Sequence, residues 1–201
     1  MTRALAIIDV QESFRQRPSW SAVSNPDIVA RVCRLVDTAR AARDLVVWVL
    51  HAEPGSGTPF DPVTGHVRLL PGLEPAPSEP VITKTSINAF TTTNLQQLLT
   101  SNGIGELVVC GIQTEQCCET TARVASDLGY AVTFVTEATA TFPIPHWDAP
   151  RDRPYDDVLA DPRTLGTTAV IERTEYALAG RFAAICTMDE VTAVGARARA
   201  A

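Results

Sequence analysis

A chain of 201 residues, 45% hydrophobic and 20% charged, has the size and apolar content of one globular domain able to bury a sizeable core. Its formal net charge of −6, without a basic run, excludes the electrostatic footprint of a nucleic-acid partner or of an anionic membrane surface. Five cysteines make an odd number, and no pair has zinc-ligand spacing, which excludes a disulfide framework and a structural zinc site.

Taken in chain order, apolar runs bounded by turn residues predict strands at residues 5–10, 45–50, 81–82, 107–110, 131–135 and 183–186. Such uninterrupted runs suit strands buried on both faces. Asp9 interrupts the first run far short of a signal-peptide core or a membrane span, so a cytoplasmic protein is expected. Between the strands, Ile28, Val32, Leu35, Val36 and Ala39 fall at helical spacing. A second helix is expected over residues 94–99, with Leu95, Leu98 and Leu99, and a third over 118–128, with Ala122, Ala125 and Leu128 before a stop at Gly129. Two proline-rich stretches, 53–80 and 142–154, break the alternation and are expected as ordered loops on the rim of a site. Residues following to 182 read as helix plus connecting segments, and 196–201 as the fraying end of a last helix. Strands alternating with helices through right-handed crossovers give an α/β fold. The sheet is mostly parallel, with helices on both faces, in one domain over residues 1–201.

Three polar residues close three of these strands. Asp9 ends the first run, Lys84 follows Val81-Ile82-Thr83, and Cys117 opens a helix after the 107–110 strand and the turn Gly111-Ile112-Gln113-Thr114-Glu115-Gln116. Ligands of open α/β sheets bind outside the carboxyl ends of the strands, so a carboxylate, an ammonium and a thiol converge on one crevice. The unpaired N–H groups of a helix N-terminus carry about half a positive charge and favour a thiolate. Cys117 is therefore the expected nucleophile, Asp9 its proton acceptor and Lys84 the cation that holds the sulfur ionised. Cys33, Cys110 and Cys186 sit among apolar neighbours and read as small buried hydrophobes. Cys118 is read as a core contact on the buried helix face, in preference to a resolving or redox role.

The segments Asp9-Val10-Gln11, Lys84-Thr85-Ser86-Ile87-Asn88-Ala89-Phe90 and Gly111-Ile112-x-Thr114-x-x-Cys117-x-x-x-Thr121-Ala122, followed by Gly129-Tyr130, carry a family resemblance in their order and spacing. By them the chain resembles the isochorismatase-like cysteine hydrolases. That resemblance implies a three-layer αβα sandwich with a six-stranded, Rossmann-like sheet and an Asp9–Lys84–Cys117 catalytic triad. It also implies a cis peptide bond between Ile112 and Gln113, no cofactor, and a homo-oligomer, dimer or tetramer. The N–H groups of Gln113 and Cys117 are then expected to form an oxyanion hole. The expected reaction is hydrolysis of a C–N bond in a small amide or carbamoyl compound through a Cys117 thioester. Cys118 stands where the family usually has an aliphatic residue.

Nicotinamidases of that family hold a metal with an Asp and clustered histidines. Here His51 stands in Leu50-His51-Ala52-Glu53, without an Asp-x-His arrangement, and His66 lies far along the proline-rich loop. A hydrogen-bonding or exposed role for His51, Glu53 and His66 is favoured over a two-His, one-carboxylate site, and no metal is expected. Isochorismatases proper need no thiol, so Cys117 favours amide chemistry. Gln11, Phe14, Asn88, Phe90, Phe142 and Trp147 are the expected substrate walls, with core packing as the alternative for Phe90 and Phe142. Two other readings stand beside the amidase. One is an isochorismatase- or nicotinamidase-type hydrolase, the other a catalytically idle thiol-sensing or partner-binding domain of the same fold.

Overall fold

In the computed structural model, which describes residues 2–150 and 152–197, the apolar runs become six parallel strands. They are β1 (Thr2–Ile8), β2 (Leu45–His51), β3 (Val81–Lys84), β4 (Ile104–Ile112), β5 (Ala131–Ala140) and β6 (Ala184–Ile185). Their order in the sheet is β3-β2-β1-β4-β5-β6. The chain thus builds outward from β1 in one direction and from β4 in the other, and the reversal falls between these two neighbours.

Alternate residues along each strand enter different cores, as period-two geometry requires. Leu5, Ile7, Val46, Trp48, Val108 and Cys110 pack with Ile28, Val32, Leu35, Val36 and Ala39 of α2 (Ile28–Ala42) on one face. Ala4, Ala6, Ile8, Val47, Val49, Leu107 and Val109 pack on the other with Leu95 and Leu99 of α3 (Leu95–Ser101) and Ala122 and Ala125 of α4 (Glu119–Asp127). Leu178 of α6 (Thr167–Leu178) joins the second core, and Met188 and Val191 of α7 (Met188–Arg197) the first. Two buried faces explain why the strands read as continuous apolar runs rather than alternating ones. The expected six-stranded αβα fold is the observed one. Among the described residues the remaining α-helices are the short α1 (Glu12–Arg15) and α5 (Tyr155–Ala160). Among the described residues no helix is long and apolar enough to cross a membrane. The expected fraying end, 196–201, lies from residue 198 onward outside the described residues.

The proline-rich stretch 53–80 is ordered against the sheet ends. Its Leu70 N–H bonds to the Val10 carbonyl at 3.0 Å, and the Glu12 N–H bonds to the Arg68 carbonyl at 2.8 Å. Phe60, Leu70 and Leu73 fill the first core.

One residue sets how closely β1 and β4 meet. Gly111 has φ +128°, and a Cβ placed there would stand 1.9 Å from the Ile8 carbonyl oxygen. The obstacle is backbone, so no side-chain adjustment relieves it. Gly111→Ala is therefore expected to lower stability by about 3 kcal/mol or more, read as a fall in the urea midpoint. A variant with an unchanged midpoint would show that the two strands can separate at no cost.

Candidate active site

The parallel register brings four strand ends together. Lys84 ends β3 directly opposite His51, which ends β2. Asp9 follows β1, where its N–H bonds to the Val49 carbonyl at 2.9 Å. Its φ of +53° is a left-handed conformation that Asp tolerates better than most residues. Cys117 lies in the turn after β4. Since β3, β2, β1 and β4 are consecutive neighbours, all four side chains crowd the carboxyl end of the sheet, beside its point of reversal.

Three groups surround the Lys84 ammonium. Asp9 Oδ2 is 2.7 Å from Nζ, His51 Nδ1 is 3.2 Å away and Cys117 Sγ is 3.3 Å away. Asp9 and Lys84 are both fully buried. The close Asp9–Lys84 approach is an ion pair, and both Asp9 oxygens keep lone pairs for another proton. Burial raises the Asp9 pKa above the usual carboxylate value, against the pull of Lys84 and of the Cys117 thiol. Burial, then Lys84, lowers that of His51, which suits a neutral ring with Nδ1 facing the ammonium. On its other side His51 Nε2 lies 3.4 Å from Glu53 Oε1.

The expected low-pKa thiolate is not the resting state of this thiol. The helical run starts three residues before Cys117: Gln113 is the N-cap, Thr114–Cys118 forms a π-helical turn, and α4 continues from Glu119. Cys117 is therefore past the first exposed N–H groups, and it is only 6% exposed. Burial, reinforced by Asp9 and opposed by Lys84, pushes its pKa up to about 12. The π register has a further effect, since the Gln113 carbonyl accepts from the N–H groups of Gln116 at 3.2 Å and Cys118 at 3.1 Å. An α register would direct the Cys117 N–H to that carbonyl; here the bonding passes over it. The Ile112–Gln113 peptide bond is cis, as the resemblance implied. Cys118 is fully buried in the second core, and Cys110 in the first, whereas Cys33 and Cys186 are half-buried rather than buried.

A cleft of about 640 Å³ opens beside this turn, lined in part by Gln113, Gln116, Phe142, Arg153 and Tyr155. Of the six expected substrate walls, Phe142 is the one that lines it. Gln11 instead closes the end of β2, its amide donating to the His51 carbonyl at 2.9 Å and accepting from the His51 N–H at 2.7 Å. Phe14 lies in the first core, edge-on to Phe60 with centroids 4.9 Å apart. Phe90 lies in the second core, stacked on Tyr130 at 6.2 Å. Asn88 holds the turn after β3, its Oδ1 accepting from the N–H groups of Phe90 and Thr91 at 2.8 and 2.9 Å. Trp147 is 86% exposed beside His146, off the cleft. Nearness in sequence to a strand end thus placed these residues near the site without aiming them into it. The cleft residues that sequence reasoning missed, Arg17, Ser19, Gln116, Arg153 and Tyr155, had one signal, the proline-rich rim that carries Arg153.

A model of the isochorismatase domain matches residues 3–152. The chain belongs to the isochorismatase family. It is 42% identical over 146 residues to a streptothricin hydrolase from Streptomyces noursei, covering 71% of the chain and 56% of that protein. The chain thus spans little more than half the length of this relative. Nicotinamidase 3 from Arabidopsis thaliana is 33% identical over 153 residues, covering 69% of the chain and 73% of the relative. An isochorismatase-family structure from Chromobacterium violaceum superposes with a TM-score of 0.85 at 26% identity, covering 98% of the chain and 94% of its own.

Of the histidines considered for a metal, His51 turns Nδ1 to the Lys84 ammonium, whereas His66 Nδ1 is buried and has no hydrogen-bond partner among the described residues. Among the described residues no three or more His, Cys, Asp or Glu side chains converge in a way that would hold a metal ion.

A pKa near 12 has a direct consequence for alkylation. The thiolate fraction of Cys117 rises about tenfold per pH unit below that value, so iodoacetamide labelling of the substrate-free protein should be slow at neutral pH and accelerate steadily into the alkaline range. Mass spectrometry of the Cys117 peptide separates it from Cys33 and Cys186. Fast labelling that levels off near neutral pH would contradict a resting thiol.

Proposed function

We propose that this isochorismatase-family chain is a cysteine hydrolase that cleaves a C–N bond in a small amide or carbamoyl compound through a thioester on Cys117. The observation that carries the reading is the convergence of Cys117 Sγ and Asp9 Oδ2 on one buried ammonium, at 3.3 and 2.7 Å. The relatives named streptothricin hydrolase and nicotinamidase 3 support a hydrolytic activity.

In the proposed sequence Asp9 takes the thiol proton as Cys117 Sγ attacks the carbonyl carbon, and Lys84 stabilises the thiolate as it forms. The raised pKa of Asp9 makes its carboxylate a stronger base than an exposed one. The N–H groups of Gln113 and Cys117 are assigned to the developing oxyanion, where one such donor is worth about 3 kcal/mol. Two features support this: the π turn passes over the Cys117 N–H, and among the described residues the Gln113 N–H meets no backbone acceptor. Asp9 then returns the proton to the nitrogen as the C–N bond breaks and the amine leaves. A water molecule, deprotonated by Asp9, attacks the thioester carbonyl, and the departing thiolate takes that proton to restore Cys117. Five cysteines without a disulfide suit a reducing compartment, in keeping with a proposed cytoplasmic setting.

Ammonia release from a panel of small amides, carbamoyl compounds, nicotinamide, ureidoacrylate and biuret tests the activity. Cys117→Ala and Asp9→Asn should each lower kcat at least about a thousandfold on any substrate turned over. Full activity in Cys117→Ala, or silence across the whole panel, would overturn the reading. Protonation of Asp9 removes the base, so kcat/KM should fall with decreasing pH through a value above the ordinary carboxylate range. An acid limb at or below the value of an exposed aspartate would contradict the base assignment.

A further inference from the structure

An ammonium has three N–H bonds, and that of Lys84 has three groups within reach: Asp9 Oδ2 at 2.7 Å, His51 Nδ1 at 3.2 Å and Cys117 Sγ at 3.3 Å. The proposed reaction uses Asp9 and Cys117 and leaves His51 without a part. Its ring is nevertheless fixed from several sides. Gln11 clamps the backbone of His51, its amide oxygen accepting from the N–H at 2.7 Å and its amide nitrogen donating to the carbonyl at 2.9 Å. The ring is buried and stands edge-on to Phe60, with centroids 5.7 Å apart.

The two ring nitrogens have different neighbours, and these decide the tautomer. Nδ1 faces an ammonium, which has no lone pair and can only donate, so Nδ1 is the bare acceptor. The proton then sits on Nε2, 3.4 Å from Glu53 Oε1. The charged groups facing the ring are Lys84 from β3, Asp9 after β1 and Glu53 on its own segment. Burial and the Lys84 charge lower the His51 pKa, which agrees with a ring that is uncharged at neutral pH.

We infer that His51 is a positioning residue: its Nδ1 takes one N–H of the Lys84 ammonium and so turns the other two toward Asp9 and Cys117. The ammonium then meets the sulfur in one orientation as the thiolate forms. The role in turnover rests on the cysteine-hydrolase reading, whereas the hold on Lys84 does not.

Two substitutions separate the acceptor from the packing. Asn carries its Oδ1 where His has Nδ1, so His51→Asn keeps an acceptor beside Lys84 and gives up the ring against Phe60. His51→Leu does the opposite, filling much of the space without an acceptor. On any amide that is turned over, His51→Leu should lower kcat about ten- to a hundredfold, the range of a hydrogen bond to a charged group, with KM little changed. His51→Asn should recover most of that loss. A side chain needed only for packing gives the reverse order, with Leu tolerated and Asn impaired; that order, or equal kcat in both variants and the wild type, overturns the inference.

Iodoacetamide labelling of Cys117 at one alkaline pH reads the hold on Lys84 without turnover. It should slow at least about tenfold in His51→Leu and recover in His51→Asn. If no amide is hydrolysed but labelling follows this order, the positioning of Lys84 stands and the hydrolase reading fails; equal labelling rates overturn the positioning itself. NMR of the imidazole nitrogens covers the case in which the Leu variant does not fold. The chain has three histidines, and His66→Gln and His146→Gln identify the signals of the third. At neutral pH His51 should show a protonated Nε2 and a bare Nδ1, and a proton on Nδ1 overturns the inference by itself.

Discussion

A carboxylate and an ammonium, Asp9 and Lys84, stand 2.7 Å apart with no solvent exposure. Taking two charges out of water costs several kcal/mol for each, and the attraction between them offsets that only at short range and in good register. Removing either partner leaves an unpaired buried charge, at a cost of about 3–5 kcal/mol. The architecture around the pair can be understood as what holds it. The β2–β3 register sets Lys84 opposite His51, the Val49 carbonyl captures the N–H of Asp9, and Gly111 lets β4 approach β1 closely enough to bring the Cys117 turn alongside.

The same burial that makes the pair short also governs the thiol. A nearby lysine favours a thiolate, yet Cys117 has its pKa pushed up to about 12 because desolvation and the facing Asp9 outweigh it. Asp9 is raised by burial as well, which moves the acid and the base of the proposed proton transfer upward together. In the proposed reaction the sulfur stays protonated until a carbonyl group is presented to it. The raised pKa of Asp9 and the ammonium at 3.3 Å supply the driving force at that moment.

Much of this was legible in the chain. Six apolar runs gave six strands, because both faces of a parallel sheet are covered and the signal is hydrophobicity alone. Asp9, Lys84 and Cys117 could be picked out because strand ends at the switch point are where polar residues meet. The last part of β5 was not legible, since Thr136, Glu137 and Thr139 look like a turn. The fold gives two of them partners: the Thr139 hydroxyl donates to the Thr136 carbonyl and accepts from Thr114, and the Glu137 carboxylate accepts from the Met188 N–H. The thiol's ionisation state was not legible either, because the helix-terminus rule is local whereas burial is a property of the whole fold. Nor was the role of His51, which depends on its register opposite Lys84, or the polar wall of the cleft. Arg153 and Tyr155 reach that wall through a proline-rich path that composition does not fix.

The proposed reaction requires that Cys117 carry the acyl group. Acid-quenched mass spectrometry during steady turnover of the best amide in the panel tests this directly. A mass increase equal to the acyl group, confined to the Cys117 peptide and appearing as fast as ammonia is released, is the predicted result. Sustained turnover with the Cys117 peptide unmodified and an adduct on another residue would contradict it.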